Sequence, residues 1–211
     1  MTSMGASLSP DEAPPVFAAA TQALRDALGR VRSEVAVHEL QAPTRLAPYA
    51  FAVAGGLSRD GDEVASGRLI LLVDPAGHSA WEGTARFVCY ARAAIDPEIA
   101  TDPFLPEVVW SWLREALDTN QAAYRAMGGT VTVTNSRRFG VLAADGDSSD
   151  MELRCSWSPD WAETSGGTGR RAWRPVEAVA QLHAFADLLA AMVGLPPRVC
   201  GVVPLPSRRE P

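Results

Sequence analysis

At 211 residues, 47% of them hydrophobic, the chain has the length and composition of one ordinary globular domain. A net charge of −6 opposes general attraction to phosphate backbones, so nucleic acid is not an expected partner. No apolar run approaches the length that spans a bilayer, so no membrane is expected either. All 19 basic residues are arginine, which excludes lysine Schiff bases, lysine general bases and the phosphate-binding lysine of a P-loop.

Residues 1–14 are small, polar and proline-containing and read as a disordered arm; a single domain is expected over 15–199 and a tail over 200–211. Pro15 suits the first turn of a helix, where its missing amide would be unpaired anyway. Phe17, Ala20, Leu24, Leu28 and Val31 follow at helical spacing on one face. "SEVAVHEL", ending at Leu40, alternates as a short strand. "RLAPYAFAVAGG" reads as a second strand stopped by Gly55 and Gly56, and "SRDGDEVAS" as a polar loop. "GRLILLVD" is the strongest strand and "EGTARFVCYARAAI" the longest.

Between those two strands, Asp74-Pro75-Ala76-Gly77 has the pattern of a type I turn. Asp accepts local amides, Pro presets φ, and Gly tolerates the fourth position. A hairpin connection of about eight residues is expected there. His78, Trp81 and Glu82 are its candidate binding residues, with His78 as a base or ligand oriented by Glu82. A plain, well-furnished turn is the favoured reading, since four residues along a loop do not force two side chains to face each other.

Further on, "DPFLPEVVWSWLREALDTN" predicts a helix whose apolar face is Leu105, Val109, Trp112, Leu113 and Ala116. Trp110 and Trp112 lie on different faces, so one is expected in the core and the other at the surface. "GGTVTVTNS" and "MELRCSWS" are two more strands, and "DGDSSDMEL" between them, with Asp145, Asp147 and Asp150, is a charged hairpin tip rather than a calcium loop. A loop from Pro159 to Arg174 follows, its "SGGTGRR" a flexible stretch rather than an anion cradle. The last helix starts near Pro175, carries a seam of Val179, Leu182, Ala186, Leu189 and Val193, and stops at Gly194 before Pro196 and Pro197.

The fold class is therefore α+β. A mostly antiparallel sheet of about five to six strands should carry helices packed on one face, in the order α-β-β-β-β-α-β-β-α. Phe87, Cys89, Ala91, Val131, Val133, Leu153, Cys155 and Trp157 share one alternation phase and form the core face. Arg86, Tyr90, Arg92, Thr130, Thr132, Thr134, Glu152 and Arg154 form the other, semi-polar face. Leu69 to Val73 is apolar on both phases, so Ile70 and Leu72 fall on that second face and need a cover. The binding candidates are accordingly Ile70, Leu72, Arg86, Tyr90, Arg92 and Arg154.

His38, His78 and His183 are scattered and no HExxH or Cys/His spacing exists, so neither metal nor cofactor is expected. His183 and Asp187 stand one helical turn apart and read as a solvated pair. Cys89 and Cys155 fall on core-facing positions, and an odd cysteine count without a signal segment fits a reducing cytoplasm.

The segments "RLAPYAFAV", "GRLILLVDPAGHSAWEGTARFV", "DPFLPEVVWSWL" and "GLPP…GVVPLPSRR" resemble those of an actinobacterial family known as a domain of unknown function, number three thousand. That resemblance transfers no activity and no catalytic residue. The element order is also similar to the small fold of type III secretion chaperones, which commonly dimerises and binds protein segments, with an extra strand near 34–40. The expectation is a non-enzymatic, cytoplasmic, chaperone- or adaptor-like module that binds a protein partner and forms a homodimer. The alternatives are an enzyme using Arg86, Arg92, Arg154 and His78 on a small anionic substrate, or an RNA-associated factor.

Overall fold

Side chains alternate across a strand, so a sheet with one apolar phase buries that phase under whatever apolar surface the helices offer. A computed structural model of the chain, describing residues 13–160 and 174–198, shows this arrangement. The elements are α1 (Pro15–Ala27, prolonged by a 3-10 turn), β1 (Ala36–Leu40), β2 (Tyr49–Arg59), β3 (Asp62–His78), β4 (Gly83–Ile95), α2 (Leu105–Thr119), β5 (Tyr124–Ser136), β6 (Ser148–Pro159) and α3 (Pro175–Met192). The six strands form one sheet in the order β1-β2-β3-β4-β6-β5, with every neighbouring pair antiparallel. The fold is α+β, with the expected element order.

One apolar cluster joins the helices to the inner strand residues. Leu24 of α1, Val109 and Leu113 of α2, and Leu182, Phe185 and Leu189 of α3 meet Phe51, Leu69, Phe87, Leu153 and Trp157. α3 lies between α1 and α2 and crosses β2, β3 and β4. That central position explains why it is buried nearly all round, at Ala178, Gln181, Ala184 and Leu188 as well as along the expected seam; Val179 and Val193 are only half-buried. Gln181 is fully buried because its side chain is paired at both ends: Trp157 Nε1 donates to Oε1 at 2.7 Å, and Nε2 donates to the Ala123 carbonyl.

Several expectations are corrected. β2 does not stop at Gly55 and Gly56 but runs through them to Arg59. A Cβ on Gly55 would come within 2.8 Å of both Phe185 and Leu189, and one on its cross-strand partner Gly67 within 2.6 Å of the Tyr90 carbonyl. The pair is there so that α3 can approach the sheet backbone. The expected polar loop at 58–66 is a tight hairpin: Arg59 pairs with Asp62 around Asp60 (φ 55°) and Gly61 (φ 95°), the Asp-Gly signature of a two-residue turn. β3, with 17 residues, is the longest strand, rather than the 13-residue β4.

The reversal between β3 and β4 is not at Asp74–Gly77. Register runs from Val73↔Ala85 to His78↔Gly83, so those four residues bulge out of β3, held by an Asx contact from the Ala76 amide to Asp74 Oδ1 at 2.9 Å. The chain turns at Ser79–Glu82, with Glu82 left-handed at φ 53°. Trp110 and Trp112 are both half-buried against the core. The expected arm (apart from Ala13 and Pro14), the glycine-rich stretch at 165–171 and the 200–211 tail lie outside the described residues.

Candidate functional site

The sheet's second face follows from register. Ile70 pairs with Ala52 and Val88, Ala52 with Leu40, and Val88 with Ser156. Leu40, Ala52, Ile70 and Val88 form an apolar row running across the sheet as far as Ser156. One pleat further along lies a row of different character: His38, Ala54, Arg68, Tyr90, Arg154 and Thr130. Because β2 contributes only Ala50, Ala52, Ala54, Gly56 and Ser58 to this face, the surface is hollow between β1 and β3. The hollow is a trough of about 840 Å³, lined by His38, Gly56, Arg68, Ile70, Tyr90 and Arg154 among others. No described helix shares the face.

The expected face residues are brought together, but they do different work. Ile70 is half-buried, whereas Leu72, beside Ala50 and Arg86, is buried although it stands outside the main core cluster. Arg86 is spent on protein acceptors. Its Nη1 donates to the Ala126 carbonyl at 2.7 Å and to Ser158 Oγ at 3.2 Å, and its Nη2 to Ser156 Oγ at 2.8 Å. Ala126 sits at φ 48° in the bulge of β5, so Arg86 ties that irregular strand start to β4 and β6. Burial lowers the Arg86 pKa from its ordinary value, with Cys155 and Glu82 opposing.

Tyr90, Arg92 and Arg154 belong to a second group. Tyr90 donates to Glu152 at 2.8 Å, Arg154 pairs with Glu152 at 2.9 Å and lies 5.9 Å over the Tyr90 ring, and Arg92 pairs with Asp150 at 2.8 Å. Burial first, then the hydrogen bond to Glu152, raises the Tyr90 pKa above the usual phenol value. Arg68, exposed at the centre of the trough, makes no ion pair among the described residues. Arg68, Val88 and His38 were missed in the sequence, although the strict alternation of alanine through "YAFAVAGG" signals the hollow they border.

The loop candidates lie beyond one end of this face. His78 stacks on Trp81 with ring centroids 5.2 Å apart, and its Nδ1 accepts from the Ala80 amide at 3.2 Å. The Glu82 carbonyl accepts from Arg125 at 2.7 Å, and Ser158 Oγ donates to the Trp81 carbonyl. These contacts lock the turn onto β5 and β6 and do not aim the imidazole at the trough.

A separate polar cluster lies where α2, α3 and the segment after α3 meet, and it corrects the reading of Asp187 as half of a solvated pair. Asp187 takes Arg198 at 3.0 and 2.9 Å, the Asn120 amide at 2.8 Å and the buried Arg32 at 3.6 Å. His183 lies alongside with Nδ1 buried and without a hydrogen-bond partner among the described residues. Its pKa is lowered by burial first and by Arg198 second, with Asp187 opposing. The cluster borders a cavity of about 230 Å³ walled by Trp112, Ala116, Ala191, Leu195 and Pro197. Cys89 and Cys155 face each other across β4 and β6 in the core as free thiols. Among the described residues no group of His, Cys, Asp and Glu side chains is placed to hold a metal ion, and no helix is long and apolar enough to cross a membrane.

A family model described as a protein of unknown function, DUF3000, matches residues 13–203. The chain belongs to that family. No curated protein and no solved structure matches it, so the likeness to secretion chaperones stands on element order alone. The match spans every described strand and helix of this DUF3000 chain, including both walls of the trough.

Proposed function

We propose that this DUF3000 protein is a non-enzymatic, cytoplasmic interaction module whose working surface is the outer face of its sheet. The observation that supports it most is the apolar row Leu40–Ala52–Ile70–Val88, half-buried except for the buried Ala52, beside the His38–Arg68–Tyr90–Arg154 row, with the three described helices engaged on the opposite face. Apolar surface edged by tyrosine and arginine has the composition of a protein interface. The occupant that fits is a segment of a partner protein with small apolar side chains for the trough, which also holds Glu63, and a carboxylate for Arg68, which makes no ion pair among the described residues. Binding rather than chemistry is favoured by the employment of the candidate groups: Arg86 is committed to three protein oxygens and His78 to its own turn.

The test is affinity capture from native lysate, run in parallel with wild type and an Ile70→Thr/Arg68→Glu double variant of unchanged circular dichroism. A protein held by wild type and bound at least about tenfold more weakly by the variant supports the reading; tenfold corresponds to about 1.4 kcal/mol. The same captured set on both proteins, or none on either, overturns it.

A further inference from the structure

The sheet has two edges, and they are defended differently. β1 is 5 residues long and carries His38 and Glu39, the latter paired with Arg25 of α1 at 2.9 Å. Short, charged edges resist pairing with other chains. β5 is 13 residues long, and after the bulge between Arg125 and Gly128 it runs as "GGTVTVTNS" with no charge and no proline. Its outer side chains are Thr130, Thr132 and Thr134. Its inner ones, Val131 and Val133, pack on the core yet are only half-buried. An edge of this kind offers its outward-pointing N–H and C=O groups as a template for another strand.

The apolar surface continues past the strand. Immediately after Ser136 the chain enters a turn in which Phe139 is 75%, Val141 95% and Leu142 55% exposed. Three large apolar side chains this open and this close in sequence are unusual for a solvated tip. The arginines beside them are held locally, Arg137 paired with Asp147 at 3.3 Å and Arg138 donating to the Asp145 carbonyl at 3.2 Å, and the tip sets these two arginines against the two aspartates. That neutrality argues against an anionic lipid surface and for protein as the occupant.

We propose that β5 pairs antiparallel with β5 of a second copy of this chain, across a two-fold axis at Thr132. Such an axis sets Thr130 against Thr134, Val131 against Val133 and Gly128 against Ser136 of the second copy. Antiparallel pairing about a residue preserves the alternation, so threonines meet threonines on the outer side and valines meet valines on the inner side. Both kinds of cross-strand pair are favourable, and no like charges are opposed. The half-buried valines gain the neighbour they lack. The same overlap carries the Phe139–Leu142 turn of each copy toward Tyr124 and Met127 of the other, at the start of its β5. Two six-stranded sheets become one continuous sheet with both troughs on the same side, and the two-fold operation closes the assembly at a dimer.

This dimer does not rest on the binding reading of the outer face, since the trough lies toward β1 and the pairing edge is β5. The test uses the full chain with Cys200→Ser, followed by analytical ultracentrifugation. The expected result is a dimer that Val133→Lys and, separately, Thr132→Pro weaken at least tenfold with circular dichroism unchanged, while Ile70→Thr/Arg68→Glu leaves it intact. Thr132→Cys should cross-link to its own copy with a short bis-maleimide, and Thr130→Cys alone should not, because residue 130 faces residue 134. If Thr132→Pro fails to fold, Val133→Lys and the two cysteine variants decide. A monomeric wild type, a dimer that survives Val133→Lys, or equal cross-linking at 130 and 132 would overturn the assignment.

Discussion

On the inner face of the sheet Gly55 stands opposite Gly67 beneath Phe185 and Leu189; on the outer face the next pair along the same strands is Ala54 opposite Arg68. At this level of β2 small side chains stand on both faces, Gly55 inside and Ala54 outside, with opposite consequences. Inside, missing side chains let α3 settle on the backbone and leave no gap. Outside, nothing descends to fill the space, and the same economy of volume leaves a trough. Small residues in a strand thus signal close approach only when another element is there to approach.

The largest effect expected from that contrast is at Gly67. A Cβ there would sit 2.6 Å from the Tyr90 carbonyl oxygen, which is backbone, and 3.0 and 3.1 Å from Phe185 and Leu189. Gly67→Val should cost about 3 kcal/mol or more in urea unfolding, the upper range for overpacking a core. Ala54→Val, one residue from Gly55 but facing the trough, should change stability by under about 0.5 kcal/mol, as surface substitutions do. Comparable losses at the two positions would mean that the outer face is packed after all.

How much of this contrast the sequence carries depends on what each feature rests on. The two faces are legible because alternation is local: Phe87, Cys89, Leu153 and Trp157 inward against Arg86, Tyr90, Arg154 and Glu152 outward needs only a period of two. The reach of β2 through Gly55 and Gly56 is not, because glycine weakens a strand locally and only the packing of α3, over a hundred residues later in the chain, makes it necessary. The Asp60-Gly61 turn is legible, since Asp-Gly between alternating segments is a strong hairpin signal, although the polar residues around it also suit a loop. Asp74–Gly77 has the chemistry of a turn, but the hydrogen bonds of the β5–β6 side hold the reversal at Ser79–Glu82 instead. Arg86 looked like a binding residue because its acceptors, a bulged carbonyl at Ala126 and two serines of β6, come from strands that only the tertiary fold assembles. The exposure of Phe139, Val141 and Leu142 is not legible, because exposure depends on where the fold places them and not on their residue types.

A middle-sized effect sharpens the division of labour on the outer face. Arg86→Met keeps much of the side chain's apolar stem but leaves the Ala126 carbonyl and the hydroxyls of Ser156 and Ser158 without their donor. Stability should fall by about 1–3 kcal/mol, the range for losing hydrogen bonds to a charged group in partly buried surroundings. Arg68→Met, on the same face with no ion pair among the described residues, should fall by under about 0.5 kcal/mol. Thermal denaturation of the two variants side by side distinguishes an arginine that holds the sheet together from one that is free to meet a partner. Equal behaviour would erase that distinction.

The smallest effect lies in the helical layer on the inner side, where a polar group is tolerated without a full set of partners. His183 has its Nδ1 buried and without a hydrogen-bond partner among the described residues, and burial, reinforced by Arg198 and opposed by Asp187, lowers its pKa from 6.5. The folded state therefore takes up a proton less readily than the unfolded chain. In the window from about 6.5 down to the folded value the unfolded state binds more protons, so stability rises with pH there and is lost as pH falls. Above about 6.5 the imidazole is neutral in both states and the contribution is complete. Melting curves at about pH 7.5 and about pH 5.5 should accordingly show a lower midpoint at the acid end, and His183→Gln, which cannot charge, should narrow that difference. If His183→Gln leaves the difference as wide as in wild type, the pH sensitivity does not come from the helices that seal the inner face.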